Sequence, residues 1–166
     1  MKATEHIALT LTTGLNWLKA LTADLHGRDL LVGSAGGDSH HTLWLIGHLA
    51  VCEAGMLDEM IHGRSNPLTE LKAVCDYGTQ AQHDGGMYPT KDELIDMLTA
   101  QRRRTLDYLA GLDDSALDGP SRAPDQLKAH FGTIGQCFAM HMNHQAFHCG
   151  QIADVRRALG RKPLFG

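Results

Sequence analysis

The chain has 166 residues, of which 43% are hydrophobic and 20% are charged, so it has the composition of a soluble globular protein and the length of one domain, residues 1–166. Fifteen Lys and Arg residues against nineteen Asp and Glu residues give a net charge of -4, which excludes the basic surface that nucleic-acid binding needs. The unusual feature of the composition is its 11 histidines.

Apolar residues spaced three or four apart predict a first helix of roughly two dozen residues. Gly27 suits the end of this helix, and a glycine-rich break at Gly33–Gly37 follows it. Asp38 or Ser39 can then cap the amides of a second helix. The stripe of the first helix consists of Ile7, Leu11, Leu15, Leu18, Leu21 and Leu25.

The second helix is expected to be well buried and to run to about His62, because apolar residues cover a broad face of it. His40 and His41, at its start, are expected to be solvated. Proline and glycine residues break the pattern over residues 63–89. This stretch therefore indicates a long crossover, with a short helical turn near residues 68–74.

A T-x-x-E capping box, Thr90 and Glu93, opens the third helix. Three consecutive arginines, residues 102–104, are expected on or beside its solvated face. The fourth helix is expected to begin near Asp125 and to continue unbroken to about Leu159. Because almost nothing alternates like a strand, the predicted fold is all-α, a four-helix bundle with a long crossover between helices two and three.

Three histidines interrupt the apolar seam of helix four. His141, His144 and His148 fall at i, i+3 and i+7, so they point into one narrow sector of the helix. A buried neutral imidazole needs a partner for each ring nitrogen, and a divalent metal supplies one. The spacing of His144 and His148 lets two imidazoles on adjacent turns converge on one ion. The alternative is a pair of core histidines bonded to polar groups or water.

A third ligand must come from a facing helix, and His48 is the best candidate because it lies on the apolar face of helix two. Taken alone, His48 would be interpreted as an ordinary core histidine. Three neutral imidazoles leave coordination positions open to water or substrate, as in catalytic sites.

Four further residues are candidates for the pocket or for supporting the ligands. His141 is interpreted as a pocket residue, a partner of a ligand or a seam residue rather than a ligand. Cys52 can approach the ion or be a small buried hydrophobe, and Trp44 can wall the pocket or belong to the core. Gln151 can orient a ligand or a bound water, or cap the surface of the bundle.

Two other metal chemistries are excluded by the residues. A zincin protease needs Glu as general base in HExxH, but Gln145 occupies that position. A ferritin-like di-iron site needs two ExxH motifs, but only Glu59 to His62 matches. The cysteines form no CxxC pair, and no apolar run is long enough to cross a membrane. We therefore expect a protein of the reducing cytoplasm without a membrane partner.

The chain resembles the DinB/YfiT-like superfamily of metalloenzymes in two segments, LWLIGHLA at residues 43–50 and HQAFHCGQI at residues 144–152. The order of the helices and the long crossover also fit. The resemblance implies a four-helix bundle, often a homodimer, in which His48, His144 and His148 hold one divalent ion. That ion is commonly zinc or nickel, with iron as a further candidate.

Better-studied members of this superfamily transfer or use a low-molecular-weight thiol. The resemblance therefore implies a metal-dependent thiol transferase or a related enzyme, whose catalytic group is a thiolate or a metal-bound water. Gly150 argues against the sulfoxide synthase branch, which carries HxxxHxE. Two alternatives stay open: a non-catalytic metal-binding stress-response bundle, and a metal-dependent hydrolase, for which no Asp or Glu beside the motif supplies a general base.

Overall fold

The computed structural model describes residues 1–34 and 40–164 of the chain. This part is mostly helical and contains no β-strand, which confirms the all-α class. Its α-helices are α1 (Ala3–Thr22), α2 (Thr42–Gly55), α3 (Thr69–Cys75), α4 (Lys91–Ala110), α5 (Lys128–Phe131) and α6 (Ile134–Ala158).

The first helix buries the predicted apolar stripe, in which Leu11 and Leu18 are completely buried. It ends at Thr22, earlier than predicted. Gly27, which has a φ of 53°, instead begins a short 3₁₀ helix, Gly27–Leu31. Glycine adopts this left-handed φ without strain, which explains why the backbone turns at this residue.

The start of α2 is capped by a histidine side chain. The Nδ1 atom of His41 accepts a hydrogen bond from the backbone N–H of Trp44 at 3.1 Å, and its Nε2–H donates to the carbonyl of Gln82 at 2.8 Å. His41 is therefore buried, and the expectation that it is solvated was wrong. The predicted caps, Asp38 and Ser39, lie outside the described residues.

The second helix continues beyond α2 as a π-helical segment, Met56–Ile61, close to its predicted end. Within the long connection that follows, α3 lies near the predicted helical turn and packs against α2. A Cβ atom at Gly47 would come within 2.6 Å of the Sγ atom of Cys75, so glycine permits this close approach. The approach brings the end of α3 to the middle of α2.

The predicted capping box at the start of α4 is confirmed. The Oγ1 atom of Thr90 accepts a hydrogen bond from the backbone N–H of Glu93 at 3.3 Å. In return, the Glu93 carboxylate accepts one from the backbone N–H of Thr90 at 2.8 Å. These two bonds satisfy amide groups that the first turn of a helix leaves free.

The prediction of one continuous fourth helix from Asp125 was wrong. A 3₁₀ turn and the short α5 precede a break at Gly132, and the long α6 begins only at Ile134. A second capping box marks this start, because Thr133 accepts from the backbone N–H of Gln136 and the Gln136 side chain accepts from the backbone N–H of Thr133.

The four long helices pack against one another in pairs, with α1 and α2 each in contact with both α4 and α6. Buried apolar residues form two clusters, one at each end of these helices. Between the two clusters along the chain lie buried polar residues of three helices, Glu53 of α2, Arg102 of α4 and Gln145 of α6. None of the helices in the described ranges combines the length and apolar character that a membrane crossing requires.

Candidate metal centre

Three histidine side chains from two helices meet at the centre of the molecule. His48 comes from α2, and His144 and His148 come from adjacent turns of α6. The Nε2 atom of His144 lies 3.2 Å from Nε2 of His48 and 2.9 Å from Nε2 of His148. One potential ligand atom from each residue lies within 4.8 Å of the other two. Among the described residues, this is the group of three that has a metal-binding arrangement.

The ring of His48 is held from two sides. Its Nδ1–H donates to the backbone carbonyl of Cys75 at 2.7 Å, the contact that the close approach at Gly47 allows. The indole of Trp44 stacks on the imidazole with ring centroids 4.6 Å apart. Trp44 itself is buried, and its Nε1–H donates to Thr79 at 3.1 Å. Trp44 is therefore a core residue that supports His48.

Gln151 gives His148 a fixed orientation. The Nδ1–H of His148 donates to the Oε1 atom of Gln151 at 2.6 Å, one turn further along α6. Because a neutral imidazole carries one proton, this hydrogen bond leaves the Nε2 atom of His148 as a lone-pair acceptor. The bond between His48 and Cys75 has the same effect on the Nε2 atom of His48. The two outer hydrogen bonds thus direct unprotonated nitrogens toward His144.

This arrangement fits a divalent ion better than it fits hydrogen bonds among the rings. The Nε2 atom of His144 can donate only one proton, so it satisfies only one of the two neighbouring lone pairs, and the weak thiol donor of Cys52, 3.5 Å from Nε2 of His48, is the other donor at the cluster. Two nitrogens that each lie about 2.1 Å from one ion are separated by roughly 3.0 Å at a right angle and by roughly 3.4 Å at a tetrahedral angle. The observed separations of 2.9 and 3.2 Å are close to this range.

Burial keeps the three imidazoles in the neutral form that binds metals. The pKa of His144 is lowered to about 3, mainly by burial and to a smaller extent by the neighbouring His148 and His48. Burial also lowers the pKa of His148 to about 4, against the opposing effect of the bond to Gln151. The pKa of His48 is lowered by burial as well. At neutral pH the cluster therefore carries electron pairs and no positive charge.

Cys52 lies beside the cluster without belonging to it. Its Sγ atom is 3.5 Å from the Nε2 atom of His48, one turn away on α2. Burial raises the pKa of the Cys52 thiol to about 12, so the thiol is protonated at neutral pH. The set of three converging ligand atoms consists of histidines alone.

The side chain of His141 lies outside the converging set of three histidines. Its Nε2 atom lies 2.5 Å from the Oε2 atom of Glu53, a carboxylate that is completely buried. Glu53 also accepts two hydrogen bonds from Arg102, at 2.9 and 2.6 Å. Although burial alone would raise the pKa of Glu53, its contacts with His141 and Arg102 hold it well below its usual range. The carboxylate is therefore ionised.

The arginine of this network was misplaced by the sequence prediction. Arg102 was expected on or beside the solvated face of its helix, but only 2% of it is exposed. Its guanidinium bonds to Glu53, to the side chain of Gln145 at 2.9 Å and to the backbone carbonyl of Leu11. Sequence analysis also missed Glu53. The network joins α1, α2, α4 and α6 at one level of the fold.

A cavity of about 460 Å³ opens beside the histidine cluster. His144 and Cys52 form part of its wall, and His141 lies on the same wall. The remaining wall is mainly apolar, and its two charged side chains are Glu59 and Asp76. The wall residues come from α2, the π-helical segment after it, the two residues after α3, the turn before α5, α5 itself and α6. A small molecule in this cavity would contact the cluster directly.

A model of the DinB superfamily matches residues 9–152, a range that includes all three clustered histidines. The crystal structure of a conserved protein from Enterococcus faecalis is similar to this chain with a TM-score of 0.69 and 18% sequence identity, over 97% of this chain and 99% of that chain. At this identity the likeness shows a shared fold. No match was found among curated proteins. Because the family model spans most of its length, the chain belongs to the DinB superfamily.

Proposed function

We propose that the chain is a single-domain, metal-dependent enzyme built as a four-helix bundle, with one divalent ion held by His48, His144 and His148. The observation that carries this proposal is the convergence of three neutral imidazoles, two buried and one partly buried, of which the two buried ones direct an unprotonated nitrogen inward. Three imidazole nitrogens accept zinc, nickel and iron. When bound, such an ion lowers the pKa of a thiol or of water that it contacts.

The proposed reaction uses a low-molecular-weight thiol. The cavity beside His144 supports a small ligand because it offers space and an apolar surface at the open side of the cluster. In this site the bond to Cys75 orients His48, and the bond to Gln151 orients His148. The burial of His48 and His148 limits the access of water to these two side chains. Thiol transfer needs little further chemistry from the protein.

A metal-dependent hydrolase is the second candidate, and one contact favours it. The sequence shows no acidic residue beside the histidine motif, yet folding places the carboxylate of Glu53 against His141. His141 lies on the cavity wall, so its imidazole can take a proton from a ligand there while Glu53 balances the resulting charge. A hydrolase would use this pair as its general base.

The non-catalytic alternative, a metal-binding stress-response bundle, requires a closed coordination sphere. A fourth protein ligand would have to be Cys52 or His141, but the Nε2 atom of His141 is bonded to Glu53 and the thiol of Cys52 is not among the converging ligand atoms. The cavity at the cluster also supports the enzyme. A cytoplasmic location and a homodimer stay predictions.

Elemental analysis of the untagged protein tests the metal site. After dialysis against mixed trace metals, we expect about one ion per chain in the parent protein and little in His48→Ala and His148→Ala variants. His130→Ala, which changes an exposed histidine outside the cluster, is the matched control and should keep the ion. His141→Ala should also keep it. An ion-free parent protein would refute the proposal.

Absorption spectroscopy separates the two reactions. When the protein is reconstituted with cobalt, a thiol whose sulfur contacts the metal produces a charge-transfer band in the near ultraviolet. We expect this band on titration with a small thiol. If the thiols give no band while ester substrates are hydrolysed in a manner that His141→Phe abolishes, the hydrolase replaces the thiol-using enzyme.

A further inference from the structure

The cavity at the histidine cluster has a wall that is apolar over most of its area. Three of the seven methionines in the chain lie on this wall. Methionine side chains are flexible and polarisable, so they adapt to apolar ligands of different shapes. The apolar side chains that form the body of the cavity are Val51, Met56, Met60, Leu127, Phe131 and Met140.

The charged groups of the wall are both carboxylates. Glu59 lies on the π-helical segment and Asp76 directly follows α3. A single ammonium group, that of Lys72, compensates them from α3, at 2.5 Å from Glu59 and 3.7 Å from Asp76. Lys72 does not line the cavity, and no other lysine or arginine of the described residues does. The edge of the cavity therefore carries one negative charge more than it carries positive charge.

Tyr77 adds an aromatic side chain at the entrance. It lies on the cavity wall next to Asp76 and is 94% exposed, so its ring extends into the solvent beside the cavity. An aromatic ring beside a carboxylate favours a cationic group and disfavours an anionic one. The acidic edge and the aromatic entrance thus select for the same sign of charge.

From these observations we infer that the cavity takes an uncharged or cationic ligand with an apolar body and rejects ligands that carry a carboxylate on that body. The inference rests on the proposed function, because the donor atom of the ligand would face the three histidines. A thiolate at the ion keeps its negative charge at the cluster, away from Glu59 and Asp76. A carboxylate on the rest of the molecule would enter an apolar cavity without a free cation to pair with it.

The test uses three ligands of nearly equal shape and different charge. They are benzyl mercaptan, its para-aminomethyl derivative and its para-carboxy derivative. Each is titrated into the metal-free and the zinc-loaded full chain, labelled with ¹³C at the methionine methyl groups. Met56, Met60 and Met140 report on the cavity, whereas Met1 and Met87, which are exposed and lie elsewhere, serve as internal controls. Elemental analysis of the same samples records zinc binding independently.

We expect the neutral and cationic compounds to shift the three cavity methyl signals, and the carboxylate to bind at least about tenfold more weakly. In a Glu59→Gln, Asp76→Asn double variant the charge of Lys72 is uncompensated, so the carboxylate should bind at least as well as the neutral compound. Lys72→Met should have the opposite effect and enlarge the preference for the neutral and cationic compounds over the carboxylate. Both variants alter side chains that are about one third exposed, so folding should be retained.

Two outcomes would overturn the inference while leaving the metal centre intact. One is equal or tighter binding of the carboxylate by a protein that holds zinc. The other is the absence of any shift at the cavity methyl groups with all three compounds. The converse result, with no zinc bound but the predicted order of shifts, would refute the proposed function and support the charge selection.

Discussion

Two groups of buried polar residues lie close together on α6 and differ in how their charges and lone pairs are satisfied. In the first group, the Arg102 guanidinium compensates the negative charge of Glu53, and the imidazole of His141 makes a further hydrogen bond to the carboxylate. In the second group, His144 faces the Nε2 atoms of two other histidines, and the one further donor that the described residues offer these atoms is the weak thiol of Cys52, 3.5 Å from Nε2 of His48. The difference teaches that burial of polar residues alone does not mark a binding site; unsatisfied lone pairs that converge do.

The largest expected effect comes from breaking the compensated group. Arg102→Met should lower the free energy of unfolding by about 3–5 kcal/mol, because it leaves the buried Glu53 carboxylate without its main partner. Denaturant unfolding measures this change. The control is Arg103→Met on the same helix, whose side chain is 85% exposed, and it should change the free energy by less than about 0.5 kcal/mol. Equal effects of the two variants would contradict the buried ion pair.

Removing the metal should affect the second group by a comparable or smaller amount. An ion that binds only the folded state stabilises it by about 4 kcal/mol when its free concentration is about a thousand times its dissociation constant. Unfolding with and without a chelator measures this difference. The His48→Ala variant should show no response to chelation, whereas Arg102→Met should keep the response. An unchanged melting temperature after verified loss of metal would count against a bridging site.

In the metal-free protein, mild acid should destabilise the histidine cluster while the Glu53 carboxylate stays ionised. The folded-state pKa values of His144 and His148, about 3 and about 4, lie below the ordinary value of about 6.5. The unfolded chain therefore binds more protons below about pH 6.5, so stability is complete above that pH and falls as the pH decreases toward the folded-state values. Glu53 stays ionised over this range because its pKa is held low.

Unfolding midpoints of the metal-free protein between about pH 7 and about pH 4 measure this effect. The free energy of unfolding should decrease with acid in the parent protein and decrease less steeply in His144→Gln. The same slope in both would show that the histidine cluster does not cause the acid sensitivity.

The sequence predicted the histidine cluster because the ligands follow local rules. The spacing of His144 and His148 is fixed by one helix, and His48 lies in a segment that resembles a known family. A local signal for the start of α6 was also present, namely the capping box of Thr133 and Gln136. The apolar seam continues on both sides of the break, so the start of the helix was not recognised. Helix periodicity extends across short breaks and therefore does not locate them.

The compensated network could not be predicted in the same way, because its members are far apart in the chain. Glu53 and Arg102 are separated by 49 positions, so their pairing depends on how α2 and α4 pack. One signal was available: Arg102 follows Leu98 by four residues and precedes Thr105 by three, so it lies within the apolar stripe of α4. A charge in that stripe indicates a buried partner. Because two further arginines follow Arg102 directly, all three were interpreted as one group of solvent-exposed charges.

The smallest expected effect tests the hydrogen bond that orients one histidine of the cluster. Gln151→Met removes the acceptor of the His148 Nδ1–H, so the Nε2 atom loses its fixed tautomer and orientation, and metal affinity should fall about tenfold to a hundredfold. Competition with a metal-binding dye measures the affinity. Gln151→Glu keeps an acceptor and should restore it, whereas Gln126→Met, at an exposed glutamine, should leave it unchanged. Normal affinity in Gln151→Met would mean that packing on α6 alone positions His148. The bond between His48 and Cys75 would then be the one outer hydrogen bond that directs a lone pair toward the ion.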